Sequence, residues 1–200
     1  MPETPSAASS TSVVTAPTAG DAQRILVYGD DRLRRVCRPV TNFDQSTERL
    51  ADRVWASLLE GDGVGLAAPQ IGDEQRLFVV KDPRRKGTRR RLVVINPTIV
   101  ETFGDRAPFE EGCLSFPGVY LRIWRRRGLR LRYRDLDGAE CRLEDEGLVA
   151  RIVQHEIDHL DGVLFLDGLR WWQRRQVGLR MWWLRKHSSA ENKPGRRGER

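Results

Sequence analysis

Apolar side chains recur three and four residues apart between Asn42 and Gly61, in the interleaved sets Leu50, Val54, Leu58 and Ala51, Trp55, Leu59. That period predicts an amphipathic α-helix with polar cap candidates upstream and Gly61 as its stop. A second helical stripe covers residues 146–160, where Leu148, Ile152, His155 and His159 share one face and Gly162 lies just past the end. Two histidines therefore sit on a stripe that otherwise carries core side chains. Residues 169–186, with Trp171, Trp172, Trp182 and Trp183, predict a further helix.

A period of two marks the strands. Residues 77–80 and 92–95 are short and β-branched, and the basic, Pro- and Gly-containing stretch 81–91 between them reads as a hairpin-like loop. Leu129, Leu131 and Tyr133 alternate with Arg130, Arg132 and Arg134; Asp137-Gly138 supplies a turn and Cys141-Arg142-Leu143 returns. This predicts a second hairpin with one wet face, in which Cys141 is a packed strand residue. The globular part begins with Ile25-Leu26-Val27, and residues 1–20, rich in Ser, Thr, Ala and Pro, read as disordered. The expectation is a single α+β domain over residues 21–169, with short antiparallel strands around the central helix that carries His155 and His159, followed by a basic, Trp-rich C-terminal helix and tail over 170–200.

Composition narrows the classes. With 200 residues, 39% of them hydrophobic and 32% charged, the chain fills one core and is too short for two enzyme domains. No apolar run reaches the roughly 18 residues of a membrane span, and the N-terminus lacks both a basic and an apolar signal region. Three widely spaced cysteines, Cys37, Cys113 and Cys141, suit a reducing compartment rather than a disulfide framework. A cytoplasmic, monomeric protein without membrane partners is expected. Residues 170–200 hold ten Lys or Arg against two Glu, a surplus of eight in a chain of formal charge +7, so the remainder is close to neutral. That basic tail suits an anionic partner such as nucleic acid.

The chemistry is concentrated in His155-Glu156-Ile157-Asp158-His159. Histidines at i and i+4 on a helix can grip one metal ion while the glutamate points beside them. A catalytic site needs a third protein ligand and an open position. His187 lies in the basic tail, Cys37 follows an Arg-rich stretch and Cys141 sits in the predicted hairpin. Cys113 differs, because Glu111-Gly112-Cys113-Leu114-Ser115 places a thiol in a tight, Gly-preceded segment whose backbone N–H groups can face a ligand.

Three motifs together resemble the peptide deformylase family, in that family's order: the Gly-rich run from Gly63-Val64-Gly65-Leu66-Ala67 through Pro69-Gln70-Ile71-Gly72, then Glu111-Gly112-Cys113-Leu114-Ser115 through Phe116-Pro117-Gly118, then Gln154-His155-Glu156 through His159-Leu160-Asp161-Gly162. The resemblance implies that Cys113, His155 and His159 bind one divalent metal ion, with Fe2+ favoured and Zn2+, Ni2+ or Co2+ as substitutes. It implies that Glu156 shuttles protons, and that Gln70 and the Leu114 backbone N–H stabilise the charge of the intermediate. It further implies that Val64, Leu148 and Ile152 form the methionine pocket, and that Gly65 lets the backbone approach an extended substrate. The activity implied is hydrolysis of the N-formyl group from formyl-methionyl nascent peptides, releasing formate. In some bacterial members a C-terminal helix docks on the ribosome, and the tail of this chain suits phosphate contacts with ribosomal RNA. Two rivals stand beside this reading: a zinc endopeptidase, which shares His-Glu-x-x-His but usually takes a third His or a distant Glu, and a nucleic-acid-binding module, which the Arg clusters at 84–91 and 122–134 suggest. The Arg-rich stretch 119–127, with Tyr120 and Trp124, departs from the better-known bacterial pattern.

Overall fold

The computed structural model describes residues 21–84, 86–87 and 91–169 and, beyond them, 171, 175, 177–179, 181, 182, 184 and 186. The two terminal segments predicted from composition, 1–20 and most of 170–200, lie outside the described residues. Helix α1 spans Gln45–Glu60; the Asp44 side chain accepts hydrogen bonds from the Ser46 and Thr47 amides and Gly61 closes its C-terminus. Helix α2 spans Leu148–Leu160. Between them run β1 (Gly65–Ala67), β2 (Leu77–Lys81), β3 (Arg91–Gly112), β4 (Tyr120–Arg134) and β5 (Glu140–Glu146). They form one antiparallel sheet in sequence order, β1 to β5.

The core lies on both sides of β2. Phe78 and Val80 face Ala150, Val153, Ile157 and Leu160 of α2, together with Val94, Leu129 and Leu131. Leu77 and Val79 face Leu50, Val54 and Leu58 of α1. A strand covered on both faces reads as a continuous apolar run rather than an alternating one, which is why Leu77-Phe78-Val79-Val80 shows no polar positions. Each of these leucines and valines is fully buried, contributing about 1.5–3 kcal/mol. A third cluster joins Phe116 and Val119 to Leu164, Phe165, Leu169, Met181 and Leu184. The described residues between 171 and 186 are helical. Val177, Met181 and Leu184 make that helix's core contacts, while Trp171 and Trp182 are exposed.

Three boundaries differ from the sequence expectation. Strand β3 extends from the predicted 92–95 to a 22-residue strand and β4 begins at Tyr120 rather than Leu129, so these two strands are long. Their added parts carry Pro97, Gly104, Pro108 and many charges, and register shifts at Ile95/Thr98, Ile99/Glu101 and Phe103/Arg106 break the alternation that would have signalled a strand. Helix α2 starts at Leu148 instead of residue 146, because Glu146 is the last residue of β5. The Asp145 side chain, at the end of that strand, accepts the Ala150 amide of the first helical turn. Among the described residues no helix is long and apolar enough to cross a membrane.

Candidate metal centre

Helix α2 carries His155 and His159 one turn apart, and its packing against the sheet leaves His159 2% and Glu156 3% exposed. Opposite them, β3 ends at Gly112 and the chain turns, with the Phe116 amide donating to Cys113 O and the Val119 amide to Phe116 O. That turn sets the Cys113 thiol 3.2 Å from His159 Nε2. The ligand atoms of Cys113, His155 and His159 all lie within 4.8 Å of one another. The third ligand predicted from a Gly-preceded segment is therefore in place. The other candidates fall elsewhere: Cys37 is buried in the apolar cluster, where burial pushes its thiol up to about 12. The Cys141 thiol donates to Asp135. His187 lies outside the described residues.

His155 owes its orientation to Glu111. The Glu111 carboxylate accepts the Arg125 guanidinium through Nε (2.8 Å) and a terminal nitrogen (3.1 Å), and Arg151 at 2.7 Å. Its second oxygen lies 3.1 Å from His155 Nδ1. Burial pushes this carboxyl up, but the hydrogen bonds from His155 and Arg125 and their charges outweigh it and hold it at about 2. An ionised carboxylate only accepts, so His155 Nδ1–H donates and Nε2 is the nitrogen left to bind a metal, which would displace its proton. Glu111, Arg125 and Arg151 are the functional residues that sequence reasoning missed. Arg125 lies in the run Arg125-Arg126-Arg127, where type alone does not distinguish it from its exposed neighbours. The one available signal was Glu111 two residues before a candidate ligand.

The remaining electrostatics favour a cation. Burial, followed by the charge of His155, lowers His159 well below the ordinary imidazole value. Burial also lowers His155, but hydrogen bonds with Cys113 and Glu111 and the charges of Cys113 and Glu156 draw it up to about 10. Groups that pull a proton onto an imidazole attract a divalent ion more strongly. Glu156 is pushed up to about 7 by burial, and its Oε2 has no partner among the described residues. A thiolate and two imidazoles at bridgeable distances, with an unpaired buried carboxylate alongside, fit one transition-metal ion.

A cavity of about 530 Å³ opens onto this cluster. Gln70, Leu114, Val64, Gly65, Leu148 and Ile152 all line it. Gln70 is fixed by its Oε1 accepting the Ala67 amide at 2.9 Å, while Nε2 points at Ser115 Oγ (3.1 Å) and Cys113 Sγ (3.5 Å). Gly65 is required sterically: a Cβ there would overlap the Glu156 carboxylate and come within 2.7 Å of Ile152. Ile152 is buried, as its place on the helical stripe predicted. Leu148 on the same stripe is 47% exposed and Val64 is 53% exposed, so both form the rim. Leu148 escapes the burial its spacing predicts because it is the first residue of α2.

Comparison with known proteins agrees with this geometry. The family model described as polypeptide deformylase matches residues 22–175. The chain is 46% identical over 153 residues to a peptide deformylase of Alkalilimnicola ehrlichii, covering 76% of this chain and 85% of that one. It is 42% identical over 147 residues to one of Thermotoga neapolitana, covering 74% and 87%. Among solved structures it is similar to peptide deformylase from Plasmodium falciparum, with a TM-score of 0.80, 32% identity and coverage of 86% of this chain and all of that one. It is also similar to that of Legionella pneumophila, with a TM-score of 0.76, 36% identity and coverage of 86% and 99%.

Proposed function

The chain belongs to the peptide deformylase family, a family of metal-dependent hydrolases that remove the formyl group from N-terminal formylmethionine, and on that premise we propose how its residues divide the work. The observation that carries the assignment is the Cys113, His155 and His159 cluster with buried Glu156 beside it. Cys113, His155 and His159 would hold one divalent ion, which when bound would supply a water of pKa about 7 and polarisation of the formyl carbonyl. Glu156 accepts a proton from the attacking water and later returns it to the leaving amine, which departs as a free N-terminus while formate is released. Gln70 Nε2 and the Leu114 N–H, which donates to no protein acceptor among the described residues, oppose the charge that develops on the former carbonyl oxygen. Ile152 forms the wall and Val64 and Leu148 the rim of the pocket for the methionine side chain, and Gly65 leaves room for the substrate backbone beside Glu156.

The native ion in this reading is Fe2+, and the protein works in the cytoplasm as a monomer. Anaerobically purified wild type is expected to release formate from a formyl-Met peptide and to lose that activity in air as iron and Cys113 oxidise. The Ni2+- or Zn2+-exchanged protein should survive air. Cleavage of an internal peptide bond in the same tube would favour an endopeptidase, and full air stability of the iron form would remove iron. The basic tail docks on the ribosome in the same reading, through phosphate contacts of residues 170–200. Replacing the ten Lys and Arg of that segment by Gln, which keeps the core contacts of Val177, Met181 and Leu184, should weaken co-pelleting with ribosomes, most clearly at low salt, with deformylation of free peptide retained. Unchanged pelleting would end that assignment.

A further inference from the structure

Apart from Arg125, the metal centre leaves the Arg-rich start of β4 unexplained. Between Arg106–Gly112 on β3 and Tyr120–Arg126 on β4 the pairing is continuous and free of bulges. Alternate β4 side chains therefore keep to opposite faces. Leu121 and Ile123 pack into the apolar cluster and Arg125 is held by Glu111. Tyr120, Arg122, Trp124 and Arg126 share the other face and are all exposed, Tyr120 by 65% and Trp124 by 55%.

This face also carries a net positive charge, with Arg106, Arg122 and Arg126 against the single carboxylate of Glu110. Arg106 and Arg126 each spend an N–H on a carbonyl, of Trp124 and Gly104. Among the described residues, no ion pair engages Arg106, Arg122 or Arg126, although Glu110 stands opposite Arg122 in register. Further along the same strand Arg130 is paired with both Glu101 and Glu144, the usual arrangement for a solvated sheet face. The strip is continuous with the substrate cavity. Tyr120 lines that cavity, and its ring lies so close over Gly112 that a Cβ there would come within 2.7 Å of it. From Tyr120 the strip leads away along β4 to Trp124, about 14 Å at the rise of an extended strand.

We propose that this strip is a track for the polypeptide that follows the formylated methionine, and that it favours acidic and aromatic side chains in the residues just beyond those held in the cavity. The proposal rests on the deformylase reading of the site and deepens it by naming the class of nascent chain preferred. An extended peptide has the same rise per residue as β4, so its alternate side chains meet Tyr120, Arg122 and Trp124 in turn. The two rings offer flat apolar contact and the guanidinium between them offers charge to a carboxylate.

The test compares three substrates: a formyl-Met tripeptide, a formylated octapeptide with Asp and Phe at positions four to seven, and the same octapeptide with Lys in place of Asp. Wild type is expected to show a KM for the acidic octapeptide about two- to fivefold below that for the Lys peptide, the upper range of exposed charge contacts. Arg122→Glu and Trp124→Ala should each abolish the difference with kcat/KM for the tripeptide unchanged. Equal KM values in wild type, a preference that survives both variants, or a parallel loss of tripeptide turnover would each overturn the proposal. Anisotropy of dye-labelled octapeptides reads the strip without turnover. Tighter binding of the acidic peptide by a protein inactive on the tripeptide would fail the site reading and keep the track. Trp124-dependent binding of a single-stranded RNA octamer, with no discrimination between the peptides, would assign the face to nucleic acid instead.

Discussion

Replacing Glu156 by Gln will lower kcat about a thousandfold while metal content and KM stay near wild type, because the amide keeps the packing but cannot take up a proton. The position is suited to the test: Glu156 is 3% exposed, so the isosteric change disturbs little around it. A fall of less than tenfold with full metal occupancy would remove Glu156 from proton transfer. Burial holds this carboxyl at about 7, so the wild-type rate should fall on the acid side as the carboxylate takes up its proton. A bound cation draws that inflection lower, and the residual rate of the Gln variant should lack it. The same shift has a stability consequence. Because the folded value lies above the unfolded value of about 4.3, the protonated carboxyl supports the fold below that pH, and this support is lost as pH rises through about 7. Metal-stripped Glu156→Gln should therefore melt close to wild type near pH 4 and outlast it at pH 8, by up to about 4 kcal/mol.

The second large effect is expected at Glu111. Removing its carboxylate leaves the Arg125 and Arg151 guanidinium groups and His155 Nδ1–H without their shared acceptor in a site where the Arg side chains are only 10% and 11% exposed. Breaking a buried ion cluster by removing one partner costs about 3–5 kcal/mol. For a domain of this size that corresponds to a fall of about 10 °C in Tm. Loss of the group that orients a ligating imidazole should also weaken metal affinity about 10–100-fold. Glu111→Ala, followed by calorimetry and by metal titration against a chelator, reads both effects; Arg127→Ala, an exposed change on the neighbouring strand, should stay within about 0.5 kcal/mol. A Glu111→Ala protein that melts like wild type and keeps its metal affinity would show that His155 is oriented by other groups. The Glu111 value of about 2 lies below the unfolded one, so its contribution is present above about 4.3 and lost as pH falls through about 2.

Hydrophobic periodicity located both helices and the apolar strands because each of those segments buries a defined face. Leu50, Val54 and Leu58 lie against the sheet as their spacing requires, and His155 and His159 fall on one side of α2 for the same reason. Periodicity said little about β3 beyond Ile95 and about the start of β4. Along β3 from Ile95 to Arg106 the bulges break the count of two; at the bulge-free start of β4 the inward positions are shared between apolar Leu121 and Ile123 and charged Arg125, so type does not mark the face, and the stabilising bonds belong to the backbone, which every sequence shares.

The amino-acid sequence by itself placed two imidazoles four residues apart on one helical face with Glu156 between them, because that pairing is written in residue type at fixed local spacing, and its resemblance to the deformylase motifs singled out Cys113 as the third ligand. Only the tertiary structure decided which arginines serve the site and which stand in water. Arg125 and Arg126 are adjacent and chemically identical, yet the alternation of β4 turns one towards Glu111 and the other away. It also decided that Gly65 must lack a side chain, since the carboxylate it would strike belongs to a helix some ninety residues further along the chain. Local sequence cannot carry such information: the constraint arises from two segments meeting in space, and each is unremarkable until the other is in place.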